Sequence, residues 1–158
     1  MKLFLIFLIL VIPFDIDYRQ HKVLDVFVFG DNIENVIQLI NIDTLITEYD
    51  TIKNNRIDKI ICGNFLFGEN NVEIVLLFVN NELYGIRYYT TTRREMLNYH
   101  DYLNRIYKSY SSHKIWYYNE IILAEYHMDV INKRFVESFK HYDVQLVLKY
   151  PIDYKRKF

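Results

Sequence analysis

The chain has 158 residues, of which 51% are hydrophobic and 25% charged, so it can fold as one domain with a buried core and without disulfides or metal. Its 19 basic and 20 acidic side chains give a formal net charge of −1, which argues against the positive field that nucleic-acid binding needs. Without that field, we do not interpret the 17% of aromatic residues as a surface that stacks on bases.

The first fourteen residues combine a positive start with an apolar run. Met1-Lys2 precedes ten apolar residues, 3–12, and a proline. This is the layout of a secretory signal peptide or membrane anchor, although a bilayer-spanning helix needs about 20 apolar residues. We therefore expect a secreted or envelope-associated protein, with 1–14 as signal or anchor and 15–158 as a single domain. Because no small-residue cleavage site follows the run, the alternative is a cytoplasmic protein with residues 1–14 as a core strand.

The next part of the chain predicts a strand, a turn and an acidic helix. Residues 23–29 are rich in β-branched and aromatic side chains and predict a strand. Asp31 is the predicted N-cap, with Glu34 three residues later as in a capping box. Apolar residues at spacings of three and four continue the helix towards Tyr49. Residues 50–58 are polar and predict a loop.

The middle of the chain carries three β-rich runs at hairpin distances. They are residues 60–67, 72–79 and 82–89. The second run is apolar on both faces and predicts a central strand, whereas the third alternates and predicts a half-exposed neighbour. Asn80-Asn81 between them predicts a two-residue turn, because asparagine tolerates positive φ. The three runs together predict an antiparallel meander.

The last third of the chain predicts a helix, a hairpin and a strand. Apolar residues at helical spacing extend from the threonines at 90–92 to Tyr110. Residues 114–128 predict a hairpin, and 130–142 fit either a helix or an edge strand. Residues 143–150 alternate between apolar and polar and predict a final strand.

Strands grouped into antiparallel runs, with helices set apart from them, indicate an α+β fold. We expect an antiparallel β-sheet, formed by the central three-strand meander plus the C-terminal hairpin and strand. Two to three helices are expected to pack on one face of this sheet.

Sequence motifs for chemistry are scarce. The four glycines form no phosphate-binding pattern, and the five histidines show no metal-ligand spacing. The single cysteine, Cys62, lies in a predicted strand and is typical of a buried apolar residue. Glu125 and His127 share one face if their segment is a strand. We therefore expect a non-catalytic protein without metal or cofactor. The alternative is a cytosolic ligand-binding or hydrolase-like domain in which these three residues line a pocket.

The remaining candidates are protein-binding surfaces. Arginine and tyrosine dominate the energetic centres of protein interfaces, and both residue types recur between the third strand and the second helix. The predicted binding residues are Arg87, Tyr89, Arg94, Tyr102 and Arg105. The acidic segment 31–49 is a second candidate surface. The expected partner is another protein, with membrane association through residues 1–14.

Overall fold

The computed structural model describes residues 21–40, 45–52, 55–110, 115–118, 122–131 and 134–150. The predicted signal or anchor at 1–14 lies outside the described residues.

Three helices and eight strands make up the described part of the chain. The helices are α1 (Ile33–Gln38), α2 (Arg93–Ile106) and α3 (Val144–Lys149). The first four strands are β1 (Leu45–Ile52), β2 (Asn55–Phe67), β3 (Asn70–Val79) and β4 (Glu82–Thr90). The last four are β5 (Lys108–Tyr110), β6 (Ile115–Tyr118), β7 (Ile122–Ile131) and β8 (Arg134–Asp143).

All eight strands form one antiparallel sheet in the order β1-β2-β3-β4-β8-β7-β6-β5. The predicted meander is confirmed as β2, β3 and β4. Asn80 and Asn81 form its second turn with φ of 47° and 74°, the left-handed values that a two-residue hairpin turn requires. The sheet therefore consists of two meanders that meet where β4 pairs with β8.

Each face of the sheet carries its own apolar cluster. The first contains Ile74 and Phe78 of β3, and α1 and α2 add Val36 and Leu103 to it. The second is smaller and includes Val75, Leu77 and Val79 of β3. Residues Val147 and Tyr150, within and directly after α3, pack against this second cluster. The fold thus combines an antiparallel sheet with three helices, and packing of all helices on one face is not confirmed.

Two predictions near the N-terminus were wrong. Residues 23–29 form a tight turn and no strand: Val23 and Phe27 exchange backbone hydrogen bonds, and Leu24 and Asp25 have φ of 52° and 60°. Helix α1 begins one residue later than predicted, because the Asn32 side chain accepts the capping hydrogen bond from the Asn35 amide.

The predicted helix extension towards Tyr49 was also wrong. Residues 45–52 form β1, which pairs with β2 from Cys62 back to Asn55. The predicted acidic surface 31–49 is therefore not one helix, and the predicted loop at 50–58 lies largely within two paired strands. Cross-strand pairing with β2 outweighed the weak helical spacing of this segment.

Three further corrections concern β4 and the C-terminal part. Strand β4 is buried rather than half-exposed from Leu83 to Tyr88, because β8 pairs with its second edge. The ambiguous segment 130–142 is largely strand, and β8 is an interior strand of the sheet. The predicted strand 143–150 is mainly the helix α3, since Asp143 caps it by accepting a hydrogen bond from the Leu146 amide.

Candidate functional site

Two of the five predicted binding residues, Arg87 and Tyr89, lie together on β4. Arg87 Nη1 donates a hydrogen bond to Tyr89 Oη at 2.9 Å, and its guanidinium carbon lies 5.7 Å from the centre of that ring. The cross-strand partner of Arg87 is Val75, which belongs to the second cluster. Since directly opposed residues share a face, Arg87 lies on the α3 side of the sheet. It is only 8% exposed, so it offers little of its surface to a partner.

The other three predicted residues, Arg94, Tyr102 and Arg105, lie on α2. The two arginines are exposed, whereas Tyr102 is buried in the first cluster. Tyr102 and Arg105 are three residues apart, so they are neighbours on the helix surface, and both line one pocket. The sheet therefore separates the five predicted residues into two groups, and only Tyr102 and Arg105 of the α2 group border this cavity, whereas Arg94 does not line it.

This pocket lies between α2, the β2–β3 turn and the turn at Asp25. Its volume is about 280 Å³. We call it the aromatic pocket, and its lining residues are Asp25, Phe67, Gly68, Asn70, Tyr88, Glu95, Asn98, Tyr99, Tyr102 and Arg105. Sites for drug-sized molecules usually measure about 300–1,000 Å³. The aromatic pocket is therefore suited to a group of about the size of one amino-acid side chain.

Four rings form the wall of the aromatic pocket. Tyr88 stacks on Tyr99 with a centroid separation of 4.1 Å and an angle of 8°, and Tyr102 continues the stack at 5.4 Å and 24°. Phe67 stands nearly perpendicular to all three, with centroid distances of 5.9, 5.7 and 5.2 Å. Stacked and edge-to-face pairs each contribute about 0.5–1.5 kcal/mol beyond area burial. The wall is thus a packed part of the core that also borders the cavity.

Charged groups stand at the two ends of the stack. Tyr102 Oη donates a hydrogen bond to Asp25 Oδ1 at 3.2 Å. Glu95 Oε2 accepts hydrogen bonds from the backbone amide and hydroxyl of Thr91 at 2.8 and 2.9 Å. Burial, reinforced by the nearby Glu95 charge, raises the pKa of Tyr88 to about 12. Burial and then Asp25 raise the pKa of Tyr102 well above its usual value. The phenols of Tyr88 and Tyr102 therefore stay protonated at neutral pH.

Two hydrogen-bonded histidine–tyrosine pairs lie next to the stack. Tyr99 Oη and His141 Nε2 are 2.6 Å apart, and His141 is fully buried. Burial, and then the charge of His21, lowers the pKa of His141 to about 3, so the ring is neutral. His21 Nε2 lies 3.0 Å from Tyr107 Oη, and its ring stacks on Tyr118 at 3.8 Å. The hydrogen bond with His141 thus holds Tyr99, the central ring of the wall.

The residues of the hydrolase-like alternative are not brought together. His127 Nε2 and Glu125 Oε2 are 3.0 Å apart, which confirms that the two side chains share one face of a strand. Glu125 pairs with Lys140, which in turn opposes Arg87 on the α3 side. Cys62 is buried in the first cluster, on the other face and three intervening strands away. No common pocket joins the three residues.

Within the described ranges, no group of three histidine, cysteine or acidic side chains is placed to hold a metal ion. No helix in these ranges is long and apolar enough to cross a membrane.

Sequence reasoning identified Tyr102 and Arg105 but missed Asp25, Phe67, Glu95 and the other rings. Asp25 is the one charged residue in an apolar run, and Glu95 stands at the third position of a helix that follows threonines. Both signals were present, but neither shows which residues meet in space.

Comparison with known proteins adds no functional information: no family model matches the chain, and no curated protein or solved structure matches it.

Proposed function

We propose that the chain is a non-catalytic protein that binds another protein and holds one side chain of this partner in the aromatic pocket. The observation that carries the proposal is the convergence of Tyr102 and Arg105 with three further rings around a cavity of about 280 Å³. Arginine and aromatic residues around a pocket are typical of the anchor sites of protein interfaces.

The chemistry of the pocket favours binding over catalysis. General acid–base catalysis needs a group whose pKa lies near the working pH. Burial raises the pKa of Tyr88 and Tyr102 far above neutrality, and the hydroxyls of Tyr99 and Tyr102 are already engaged with His141 and Asp25. The phenols of the wall are therefore poor candidates for proton transfer. Their rings are at most 8% exposed and form the rigid base of the pocket beside the partly exposed Phe67.

The composition and first residues support the rest of the proposal. A net charge of −1 fits a protein partner better than a nucleic acid. Residues 1–14 favour an exported or envelope-associated protein. Sequencing the N-terminus of the full chain after expression tests export: a soluble cytoplasmic product that begins at Met1 would remove it.

Selection from a displayed random-peptide library tests the pocket as the binding site. Asn98 lines the pocket and is exposed, so Asn98→Trp blocks the cavity without changing the core. The matched control is Leu97→Trp, because Leu97 is 50% exposed on the same helix and does not line the pocket. Selected peptides should lose at least tenfold in affinity for Asn98→Trp and retain affinity for Leu97→Trp. Equal affinity for both variants would show that binding occurs elsewhere.

A further inference from the structure

We infer that the partner side chain held in the aromatic pocket is an arginine, whose guanidinium lies at the Glu95 end of the ring stack. This inference rests on the proposed function and specifies the chemistry of the occupant. It follows from the charges of the pocket, from the carboxylate oxygens to which no described residue donates, and from its aromatic wall.

The charges of the pocket favour a cation. Asp25 and Glu95 are acidic, and Arg105 is the single basic residue among the lining residues. Tyr102 donates a hydrogen bond to Asp25 and lies three residues from Arg105 on α2, so these two charges lie at the same end of the stack. Glu95 precedes Tyr102 by about two turns of α2, and its charge contributes to the raised pKa of Tyr88, so it stands at the opposite end. Negative charge at the Glu95 end is therefore the less compensated of the two.

Each carboxylate uses one of its oxygens in an internal hydrogen bond. Asp25 Oδ1 is engaged with Tyr102, and Glu95 Oε2 is engaged with Thr91. Among the described residues, no donor lies within hydrogen-bond distance of Asp25 Oδ2 or Glu95 Oε1. A ligand with several N–H donors can therefore bind without breaking the internal hydrogen bonds that hold these side chains.

The aromatic wall distinguishes a guanidinium from other cations. Guanidinium is planar, weakly hydrated and stacks on aromatic rings, whereas ammonium is compact and strongly hydrated. Phe67 is the partly exposed ring of the wall, and it lines the pocket together with Glu95. An aromatic ring near a carboxylate is the combination that a stacked guanidinium uses. The pocket volume of about 280 Å³ also suits one long side chain better than a larger organic cation.

Nuclear magnetic resonance titration of the folded chain with Nα-acetyl-arginine methylamide tests this inference. The matched neutral probe is Nα-acetyl-citrulline methylamide, which keeps the shape and removes the charge. The arginine probe should produce saturable shifts at Asn98 and Gly68 and bind at least fivefold more tightly than the citrulline probe. Its affinity should fall as salt is raised, since the pocket mouth is exposed to solvent.

Two charge variants give opposite expected results. Glu95→Gln removes the charge but retains a side chain that can accept the capping hydrogen bonds, so the helix should persist. It should weaken the arginine probe up to about fivefold, the usual size of an exposed charge pair. Arg105→Gln removes the repelling charge and should strengthen the same probe by a similar factor.

The outcomes separate the two proposals. Equal binding of the arginine and citrulline probes, or no effect of either charge variant, overturns the inference while leaving the pocket as a binding site. Absence of saturable shifts at the solubility limit of the arginine probe also overturns it. Peptide binding that is unaffected by Asn98→Trp overturns the proposed function itself.

Discussion

His141 should make the fold sensitive to mild acid. Its ring is fully buried against α2, its Nε2 lies within hydrogen-bond distance of Tyr99 Oη, and the ring of Tyr107 lies 5.9 Å away. The second nitrogen, Nδ1, has no hydrogen-bond partner among the described residues. Protonation would place a positive charge in this site, near His21, which is itself a histidine with a lowered pKa.

The sign and size of the effect follow from the two pKa values. Above pH 6.5 the ring is neutral in the folded and the unfolded chain, so it adds no pH dependence. Below pH 6.5 the unfolded chain takes up a proton that the folded chain refuses until about pH 3. Each pH unit below 6.5 lowers the free energy of unfolding by about 1.36 kcal/mol. At pH 5 the free energy of unfolding should therefore be about 2 kcal/mol lower than at pH 7. His21 adds to this loss in the same direction.

Urea unfolding at pH 7, 6, 5 and 4 measures this loss, with the fluorescence of the single, buried Trp116 as the signal. His141→Gln keeps a partner for the Tyr99 hydroxyl but cannot titrate, so its stability should fall less than that of the unchanged chain. Between pH 7 and pH 5, the difference in free energy of unfolding between the two proteins should change by about 2 kcal/mol in favour of the variant. Tyr99→Phe removes the hydrogen bond and keeps the histidine, so it should retain the steep slope. Parallel stability curves for His141→Gln and the unchanged chain would refute the reasoning.

Three further substitutions test single features of the fold. Tyr84→Phe should raise the free energy of unfolding by about 1 kcal/mol, because this buried hydroxyl has no partner among the described residues; a loss in the same urea titration would contradict this. Thr92→Ala removes the hydroxyl that accepts a hydrogen bond from the Glu95 amide, so the free energy of unfolding should fall by about 1 kcal/mol. Circular dichroism should show a lower Tm, and an unchanged Tm would argue against the cap. Asn81→Gly should be tolerated at φ 74° and Asn81→Val should cost about 1–2 kcal/mol in urea; equal stability of the two would be inconsistent with the left-handed turn.

The sequence predicted the fold best where the apolar pattern of a segment agrees with the strand pairing in the structure. In β3 both faces are apolar and the Asn80-Asn81 turn sets the register, so local signals suffice. Residues 143–150 show why other segments failed. Val144, Leu146 and Leu148 alternate as in a strand, yet Leu148 is 76% exposed in α3. Over such a short segment the strand period of two and the helix period of about 3.6 residues are difficult to distinguish. The informative signal was the capping residue Asp143.

The candidate site was predictable in residue type but not in assembly. Tyr102 and Arg105 could be predicted as binding residues because tyrosine and arginine are favoured at interfaces and because residues three apart share a helix face. Asp25 bonds to Tyr102, which lies 77 positions later in the sequence. This contact depends on a turn with a left-handed backbone at Asp25, which could not be predicted because the apolar run indicated a strand. Arg87 has the same residue type as Arg105, but it lies opposite Val75 of the second cluster, bonds to Tyr89 and is only 8% exposed. A long-range contact of this kind cannot be inferred from periodicity.

The junction between β4 and β8 has a consequence for how the chain folds. Each meander is assembled from neighbouring strands, so its hairpins can form early and independently, on the microsecond scale of such elements. Pairs such as Arg87 with Lys140 join segments that are distant in sequence, and this ladder must wait for a large loop to close. Topology of this kind slows folding. Substitutions that weaken the junction should therefore reduce the refolding rate if it forms in the transition state, and accelerate unfolding if it forms afterwards.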